Sequence, residues 1–172
     1  MTSIIYCIND DHHLLSNRSE PAERVLLVLN LTPRAGKDVQ IEEITMPLVR
    51  IDLAEGQSAE YRSAVADEVY KAMTTTMKVP ANDRFMVVNE HKPGDFIADP
   101  TYLGIERSPQ CVIVQLTLNA GRDLAIKKAF YKALSEGLHA RVGLRREDLF
   151  ISLVEVPKEN WSFGNGEAQY AQ

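Results

Sequence analysis

The sequence predicts an α+β domain in which a β-α-β unit occurs twice in tandem, giving a four-stranded sheet with two helices on one face. From Pro47 onward, short apolar runs typical of strands alternate with segments in which apolar residues recur every three to four positions. The two helical segments share a local motif, Tyr70-Lys71-Ala72-Met73 and Tyr131-Lys132-Ala133-Leu134. The two units have similar lengths, and each has a right-handed crossover if its strands are parallel.

The first unit opens with a run in which apolar residues are interleaved with Arg50 and Asp52, as in a strand. Proline is tolerated at the first residue of a strand, because no ladder hydrogen bond is yet required of its missing N–H. Ser58 is the expected N-cap of the helix that follows, and Val79-Pro80 ends that helix. The predicted elements are a strand over 47–54, a helix over about 59–77 and a strand over 84–90.

The second unit repeats this order after a loop over residues 91–109. Its predicted elements are a strand over 111–118, a helix that follows Gly121-Arg122-Asp123 and runs to about residue 140, and a strand over 149–156. Residues 160–166 contain two large aromatics and two glycines. We expect them to form a C-terminal hairpin that packs on a neighbouring chain, with an aromatic wall over a pocket as the functional alternative. The strands are mostly apolar, so the sheet face without helices would be exposed in a monomer. Oligomerisation is therefore expected.

Composition excludes several classes of function. A net charge of -5 and a pI near 5.4 argue against an electrostatic nucleic-acid binder. Cys7 and Cys111 form neither a disulfide framework nor a metal motif, which favours a reduced cytoplasmic setting. The longest apolar run, residues 25–29, is too short to span a membrane. Adjacent His12-His13 without a third ligand are interpreted as solvated, so no metal or cofactor is expected.

Residues 1–45 differ from the rest, because loop composition separates two apolar runs and nothing there matches the later repeat. We interpret them as an N-terminal extension ahead of a domain over residues 46–172. If translation begins at Met46 and the methionine is removed, Pro47 carries a free secondary amine. If translation begins at Met1, Pro47 is an ordinary imide with no basic nitrogen. The same residue is then either a catalyst or chemically inert.

A free terminal amine has its own chemistry. Its unperturbed pKa is about 7.7–8.0, and burial or a nearby cation lowers that pKa. The neutral amine can remove a proton next to a carbonyl, which gives keto–enol tautomerisation. A nearby carboxylate keeps the amine cationic instead. A cationic amine can polarise a carbonyl or, after losing its proton, form an iminium that accepts electrons from a leaving carboxylate.

Four ordered motifs give this chain a resemblance to the tautomerase superfamily, and within it to the branch that contains malonate semialdehyde decarboxylase. The first is similar to the processed amino terminus of those proteins. The match covers residues 46 to about 170, and the combination is far more specific than any one motif. The motifs are Met46-Pro47-Leu48-Val49-Arg50-Ile51-Asp52-Leu53, Val79-Pro80-Ala81-Asn82-Asp83-Arg84-Phe85, Gln115-Leu116-Thr117-Leu118-Asn119-Ala120-Gly121-Arg122 and Trp161-Ser162-Phe163-Gly164-Asn165-Gly166.

The resemblance implies a homotrimer with an amino-terminal proline at the catalytic centre and no cofactor. It makes Pro47 the catalytic amine, Asp83 the acidic residue near it, and Arg122 the anchor of a substrate carboxylate. The further substrate-binding residues are Asn119, Phe85 and an apolar wall of Trp161, Phe163 and Tyr170. Taken singly, without the resemblance, the favoured interpretations are a turn acid for Asp83, a surface cation for Arg122 and a core residue for Trp161. Glu90-His91 is interpreted as a solvated pair rather than an acid–base pair.

One departure from the family bears on activity. Decarboxylases of this type carry two arginines, as Arg-Pro-Arg, in the loop after the third strand. This chain has Asn119-Ala120-Gly121-Arg122 there, with a single arginine. We therefore predict keto–enol tautomerisation of a small keto or enol carboxylic acid, with malonate-semialdehyde-type decarboxylation as the alternative. If translation starts at Met1, the fold becomes a trimeric module with a blocked proline, and the full-length form is expected to be inactive.

Overall fold

A computed structural model describes residues 47–171 and confirms the predicted fold. Each observed boundary lies within two residues of its predicted position. The predicted extension over residues 1–45 and the pair His12-His13 lie outside the described residues. The elements are β1 (Leu48–Ala54), α1 (Ala59–Thr76), β2 (Phe85–His91), β3 (Val112–Asn119), α2 (Leu124–Val142) and β4 (Leu149–Val156).

The strands form one sheet in the order β2-β1-β3-β4. β1 is parallel to β2 and β3 is parallel to β4, so each β-α-β unit keeps its strands side by side. The central pair, β1 and β3, is antiparallel, with Leu48 opposite Thr117. The beginnings of β1 and β2 therefore lie at the same edge of the sheet as the ends of β3 and β4. We call this edge the proline edge, because Pro47 directly precedes β1.

The core lies between the sheet and the two helices. In β1 and β3, alternate residues are buried against the helices, including Val49, Ile51 and Leu53. The helices bury faces with the predicted spacing, built from Val65, Val69, Met73, Phe130, Leu134 and Leu138. Leu124, expected on the apolar face of α2, is 64% exposed instead. It opens the first turn and points roughly 40–80° away from the direction of Leu134 and Leu138.

The face of the sheet without helices is unevenly apolar. Its exposed apolar side chains lie on the two outer strands, Phe85 and Val87 on β2 and Phe150 and Val154 on β4. The central strands present Arg50, Asp52, Gln115 and Thr117 on that face. Exposed aromatic and branched side chains of this kind mark surfaces that associate with another chain.

The predicted C-terminal hairpin is wrong for the single chain. Residues 157–171 contain a 3₁₀ turn over Lys158–Asn160 and further turns, with no paired strands. Side-chain hydrogen bonds hold the segment instead. The Phe163 N–H donates to Gln169 Oε1 over 3.0 Å, and Gln169 Nε2 donates to the Gly164 carbonyl over 2.8 Å. When a side-chain amide supplies these hydrogen bonds, the backbone does not need a paired strand. The sequence pattern is the same for a hairpin and for a segment held in this way.

Two features are absent from the described part of the chain. No helix within residues 47–171 has the length and apolar character needed to cross a membrane. Over the same range, no three His, Cys, Asp or Glu side chains are grouped closely enough to hold a metal ion.

Candidate active site

A cavity of about 210 Å³ lies at the proline edge, lined by Pro47, Leu48, Phe85, Trp161, Ser162 and Phe163. Pro47 is buried. The parallel register that pairs Leu48 with Phe85 brings the beginnings of the two strands together, while Trp161 and Phe163 arrive from beyond β4. Residues separated by more than a hundred positions thus share one small, mostly apolar space.

Asp83 lies two residues before β2 at this same edge. Its side chain is buried, with 5% of the residue exposed. Neither carboxyl oxygen has a hydrogen-bond partner among residues 47–171. Burial raises the pKa of Asp83 to about 6, because a carboxylate without donors is costly to keep charged away from water. A buried acceptor left open in this way is typical of a site that takes a partner from outside.

Tyr70 of α1 holds both neighbours of Asp83. The Asn82 N–H donates to the Tyr70 hydroxyl over 3.1 Å, and Asn82 itself has a left-handed backbone with φ of 80°. The Arg84 guanidinium lies 5.3 Å from the centre of the Tyr70 ring and bonds Asp67 over 2.7 Å. The turn that presents Asp83 is therefore fixed from both sides by one side chain.

Tyr70→Phe should release this turn, because it removes the hydroxyl and keeps the ring beneath Arg84. We expect the free energy of unfolding to fall by about 1 kcal/mol. The pKa of Asp83 should fall toward its ordinary range as water reaches the carboxyl. Carbon-13 NMR titration of the Asp83 carboxyl measures this shift.

Tyr131→Phe is the matched control, since Tyr131 occupies the equivalent place in the second unit and packs against the core. It should leave the Asp83 titration unchanged. Equal titration curves for Asp83 in the two variants would contradict the role assigned to Tyr70.

The aromatic side chains beyond β4 form a connected wall. Trp161 and Phe163 are stacked with ring centres 5.6 Å apart, and Tyr170 meets Phe163 edge-on at 4.8 Å. Burial and then the charge of Asp83 raise the pKa of the Tyr170 hydroxyl, so this phenol lies within the field of Asp83. Trp161 Nε1 is buried and has no acceptor among residues 47–171. Trp161 Nε1 is therefore an open donor on this wall, and Asp83 supplies an open acceptor at the same edge of the sheet.

Arg122 and Asn119 lie where β3 ends at the proline edge. Asn119 is 1% exposed, and its carbonyl accepts a 2.9 Å hydrogen bond from Arg122 Nη1. The Ala120 N–H donates to the Val156 carbonyl over 3.0 Å, which ties the loop to the end of β4. Arg122 is half-buried, and the planar guanidinium suits a carboxylate in two-point contact.

Glu155 lies against this loop. Backbone N–H groups at the start of a helix can join a guanidinium in binding an anion. The pKa of the Glu155 carboxyl is lowered first by Lys127 and, to a smaller extent, by the N–H groups of Arg122 and Gly121, so these donors face the protein's own carboxylate. Asp123 caps the helix by accepting from Ile126 N–H. An anion here would therefore depend mainly on the guanidinium.

Glu155→Ala is expected to loosen the loop that carries Arg122, since the N–H groups of Gly121 and Arg122 lose the carboxylate that they face. The amides of Gly121 and Arg122 should exchange with solvent at least about ten-fold faster. Hydrogen exchange followed by NMR measures this without any substrate. Glu136→Ala is the control, because Glu136 forms an exposed pair with Lys132 at 3.9 Å; unchanged exchange at residues 121 and 122 in Glu155→Ala would contradict the assignment.

Glu90 and His91 separate in the structure. The Glu90 carboxylate bonds Arg62 over 2.8 Å and accepts from the N–H groups of Gly56 and Gln57. His91 Nε2 lies 2.7 Å from Asp52 Oδ1 instead. A larger cavity of about 560 Å³ touches His91 at the far edge of the sheet and contains none of the predicted site residues. The larger cavity is therefore not the one that contains the predicted catalytic residues. The buried polar atoms of Asp83 and Trp161 that have no hydrogen-bond partner among residues 47–171 favour the proline edge as the active site.

The fold and this site define a class of protein, and comparisons with known proteins agree with it. Two family models, each described as tautomerase enzyme, match residues 47–105 and residues 83–164. The chain belongs to this tautomerase family. Probable tautomerase YusQ of Bacillus subtilis (strain 168) is 36% identical over 124 residues, which make up 72% of this chain and 98% of that protein.

Two solved structures extend the comparison. FG41 malonate semialdehyde decarboxylase, inhibited by 3-bromopropiolate, is 41% identical with a TM-score of 0.67, over 72% of this chain and 93% of that chain. A fused 4-OT wild type symmetric trimer is 23% identical with a TM-score of 0.60, over 72% of this chain and 98% of that chain. The second is a likeness of fold alone. These relatives confirm the family that the sequence motifs indicated.

Three residues of this site were missed by sequence reasoning. Tyr70 stood out only as part of the repeated motif, and Glu155 and Lys127 had no local signal. Lys127 and Glu155 lie on different elements and meet at 2.8 Å only once α2 packs beside β4.

Proposed function

We propose that this chain is a tautomerase-superfamily enzyme that uses Pro47 as a free amine, after removal of residues 1–46, to interconvert the keto and enol forms of a small carboxylic acid. The observation that carries the proposal is the buried Pro47 in a small apolar cavity at the same sheet edge as Asp83 and Arg122. In this proposal Pro47 supplies the base, Arg122 binds the substrate carboxylate, and Asp83 influences the charge of the amine. One family model begins its match at residue 47, which supports the proposed start.

In the proposed reaction, Arg122 holds the substrate carboxylate while the neutral Pro47 amine removes a proton from the carbon next to the keto group. The electron pair of that C–H bond forms the enolate double bond, and the charge moves to the carbonyl oxygen. The proton then returns from the Pro47 ammonium to oxygen, which gives the enol. Trp161 and Phe163 exclude water, which strengthens the interaction between the substrate and the charged groups.

Asp83 sets the charge of the amine in this proposal. An ionised carboxylate nearby raises the pKa of the amine, whereas apolar surroundings lower it. Ionisation of Asp83 is itself disfavoured, because burial raises its pKa to about 6. With a pKa of about 6, Asp83 is mostly ionised at neutral pH, and only its minor neutral form leaves the Pro47 amine without a nearby negative charge. A neutral amine is the form that tautomerisation requires.

The second candidate is decarboxylation of a 3-oxo acid, favoured by the 41% identity to a malonate semialdehyde decarboxylase. Here the Pro47 nitrogen would add to the aldehyde carbonyl and lose water to form an iminium. The C–C bond to the carboxylate then breaks, CO₂ leaves, and its electrons enter the iminium to give an enamine. Protonation at carbon and hydrolysis release the product. The single arginine, where decarboxylases of this type carry two, weighs against this candidate.

We further propose a homotrimer in a reduced, cytoplasmic setting. The exposed apolar side chains on β2 and β4 support association, and the similar fused 4-OT structure is a symmetric trimer. Should translation begin at Met1, the same assembly would be a trimeric module without the proline chemistry. The mass of the natural protein separates the two possibilities, because residues 1–46 are either present or absent.

The test compares protein beginning at Pro47 with the full chain, using a small enol acid whose conversion is followed by absorbance and a 3-oxo acid whose CO₂ release is measured. We expect turnover in the shorter form and none in the full chain. The pKa of the Pro47 amine, from NMR titration, separates the candidates: a value well below about 7 favours tautomerisation and one near about 9 favours decarboxylation. Inactivity of the shorter form on both substrates would overturn both.

A further inference from the structure

We propose a second binding site, for a small planar carboxylate, in the large cavity at the edge of the sheet opposite Pro47. The cavity has a volume of about 560 Å³ and lies between the last residues of β1 and β2 and the loop that joins β2 to β3, up to Cys111 just before β3. β1 alone spans seven residues, so the two sites are about 20 Å apart. A volume of this size is typical of sites for small molecules.

A fixed imidazole forms part of the wall. His91 Nε2 lies 2.7 Å from Asp52 Oδ1, and Asn89 Nδ2 donates to the same oxygen over 3.1 Å. The His91 ring is stacked on Phe96, with ring centres 5.6 Å apart and planes 15° apart. Because a carboxylate can only accept, Nε2 is the donor in this contact, and Nδ1 is the second polar atom of the ring. Phe96, itself on the wall, offers a flat apolar surface beside it.

Two cations line the same cavity, Lys92 and Arg107. Neither is in an ion pair with another residue of 47–171, unlike Arg62, Arg84 and Lys127. Arg107 is held by the backbone, since Nη1 donates to the carbonyls of Asp99, Tyr102 and Ile105 at 3.3–3.5 Å. The Glu55 carboxylate also lines the cavity, so the cations outnumber it by two to one.

The loop that forms the outer wall is anchored at its end. Asp148, 1% exposed, accepts hydrogen bonds from the Ser108 N–H over 2.6 Å and from its hydroxyl over 2.7 Å. The Arg107 N–H donates to the Pro100 carbonyl over 2.9 Å. A cavity wall fixed before a ligand arrives lowers the ordering cost of binding. Two cations, an aromatic face and an imidazole acceptor together fit a carboxylate on a flat ring, preferably with a hydroxyl for Nδ1.

The test uses the full chain, in which Pro47 is an imide, so its result does not depend on the proposed catalytic chemistry. The probes are 4-hydroxybenzoate, its uncharged counterpart 4-hydroxybenzyl alcohol, and acetate, with binding followed by amide NMR shifts. We expect saturable shifts at Gly94 and Ser108 for 4-hydroxybenzoate, and weaker binding of both partial probes. Lys92→Met should weaken binding by about five-fold, while Lys128→Met on the exposed side of α2 should leave it unchanged.

Phe96→Leu is the second variant, because it keeps an apolar side chain and removes the flat face. It should also weaken the ring probe and leave acetate unaffected. Three outcomes would overturn the proposal: absence of saturable shifts around the cavity, shifts confined to the proline edge, or equal weakening by Lys92→Met and Lys128→Met. Protection of Gly94 and Ser108 by a second copy of this chain would also overturn it, since the cavity would then be filled by the assembly.

Discussion

Pro47→Ala, in protein that begins at this residue, is expected to lower turnover of a small keto or enol acid by about 10²- to 10⁴-fold. The proposed chemistry passes through the ring nitrogen of Pro47, which is secondary, basic and fixed by its buried position at the start of β1. Alanine keeps an amine but loses the ring that fixes its direction in the cavity. Steady-state kinetics of the two proteins measure the effect, with kcat expected to fall more than KM rises.

Pro157→Ala is the matched control, because Pro157 is exposed and lies just before the 3₁₀ turn after β4. Its kcat should stay near that of the unaltered protein. The fold must also be intact in Pro47→Ala, which the melting temperature checks. Full activity in a folded Pro47→Ala protein would rule out tautomerisation and decarboxylation through this residue alike.

Asp83→Asn is expected to stabilise the full chain at neutral pH and, in protein beginning at Pro47, to lower the pKa of the Pro47 amine. The pKa of Asp83 is raised by burial from 3.8 to about 6 in the folded protein. The folded state therefore binds the proton more tightly, and stability falls as the pH rises from about 4 through about 6. Above that window the charged carboxylate costs up to roughly 3 kcal/mol, a cost that the uncharged amide of the variant would not incur.

Urea unfolding at two pH values measures this difference. At about pH 8 the variant should be the more stable protein, and at about pH 4 the two should nearly coincide, because the folded unaltered protein then carries a protonated, uncharged Asp83. Asp95→Asn is the control, since Asp95 is exposed in the loop after β2. A stability gain independent of pH would contradict the assigned pKa.

The same titration also tests whether Pro47 and Asp83 interact. In protein beginning at Pro47, a cationic amine near the carboxyl would lower the pKa of Asp83 relative to the full chain. The stability cost at high pH should then be smaller in the shorter form. An identical Asp83 pKa in the two forms would show that the amine and the carboxyl are too far apart to act together.

The periodicity of apolar residues in the sequence was sufficient to predict the four strands and the two helices. Strands alternate and helices repeat every three to four residues because burial against one core is the main stabilising force, and the boundaries followed from Ser58, Val79-Pro80 and similar signals. The C-terminal segment was predicted wrongly as a hairpin because Gln169, a side chain, supplies the hydrogen bonds that a strand would otherwise provide. A single side chain that replaces the hydrogen bonds of a strand leaves no periodic pattern in the sequence.

The sequence by itself determined the two β-α-β units, the family and the residues expected at the catalytic centre. Only the tertiary structure decided the environment of those residues. Asp83 could have been an exposed turn acid, and its burial depends on how the turn packs against Tyr70. The backbone donors before α2 face the Glu155 carboxylate because β3 and β4 end side by side. Charge, burial and hydrogen bonding arise between elements far apart in the chain, where a one-dimensional pattern carries no distances.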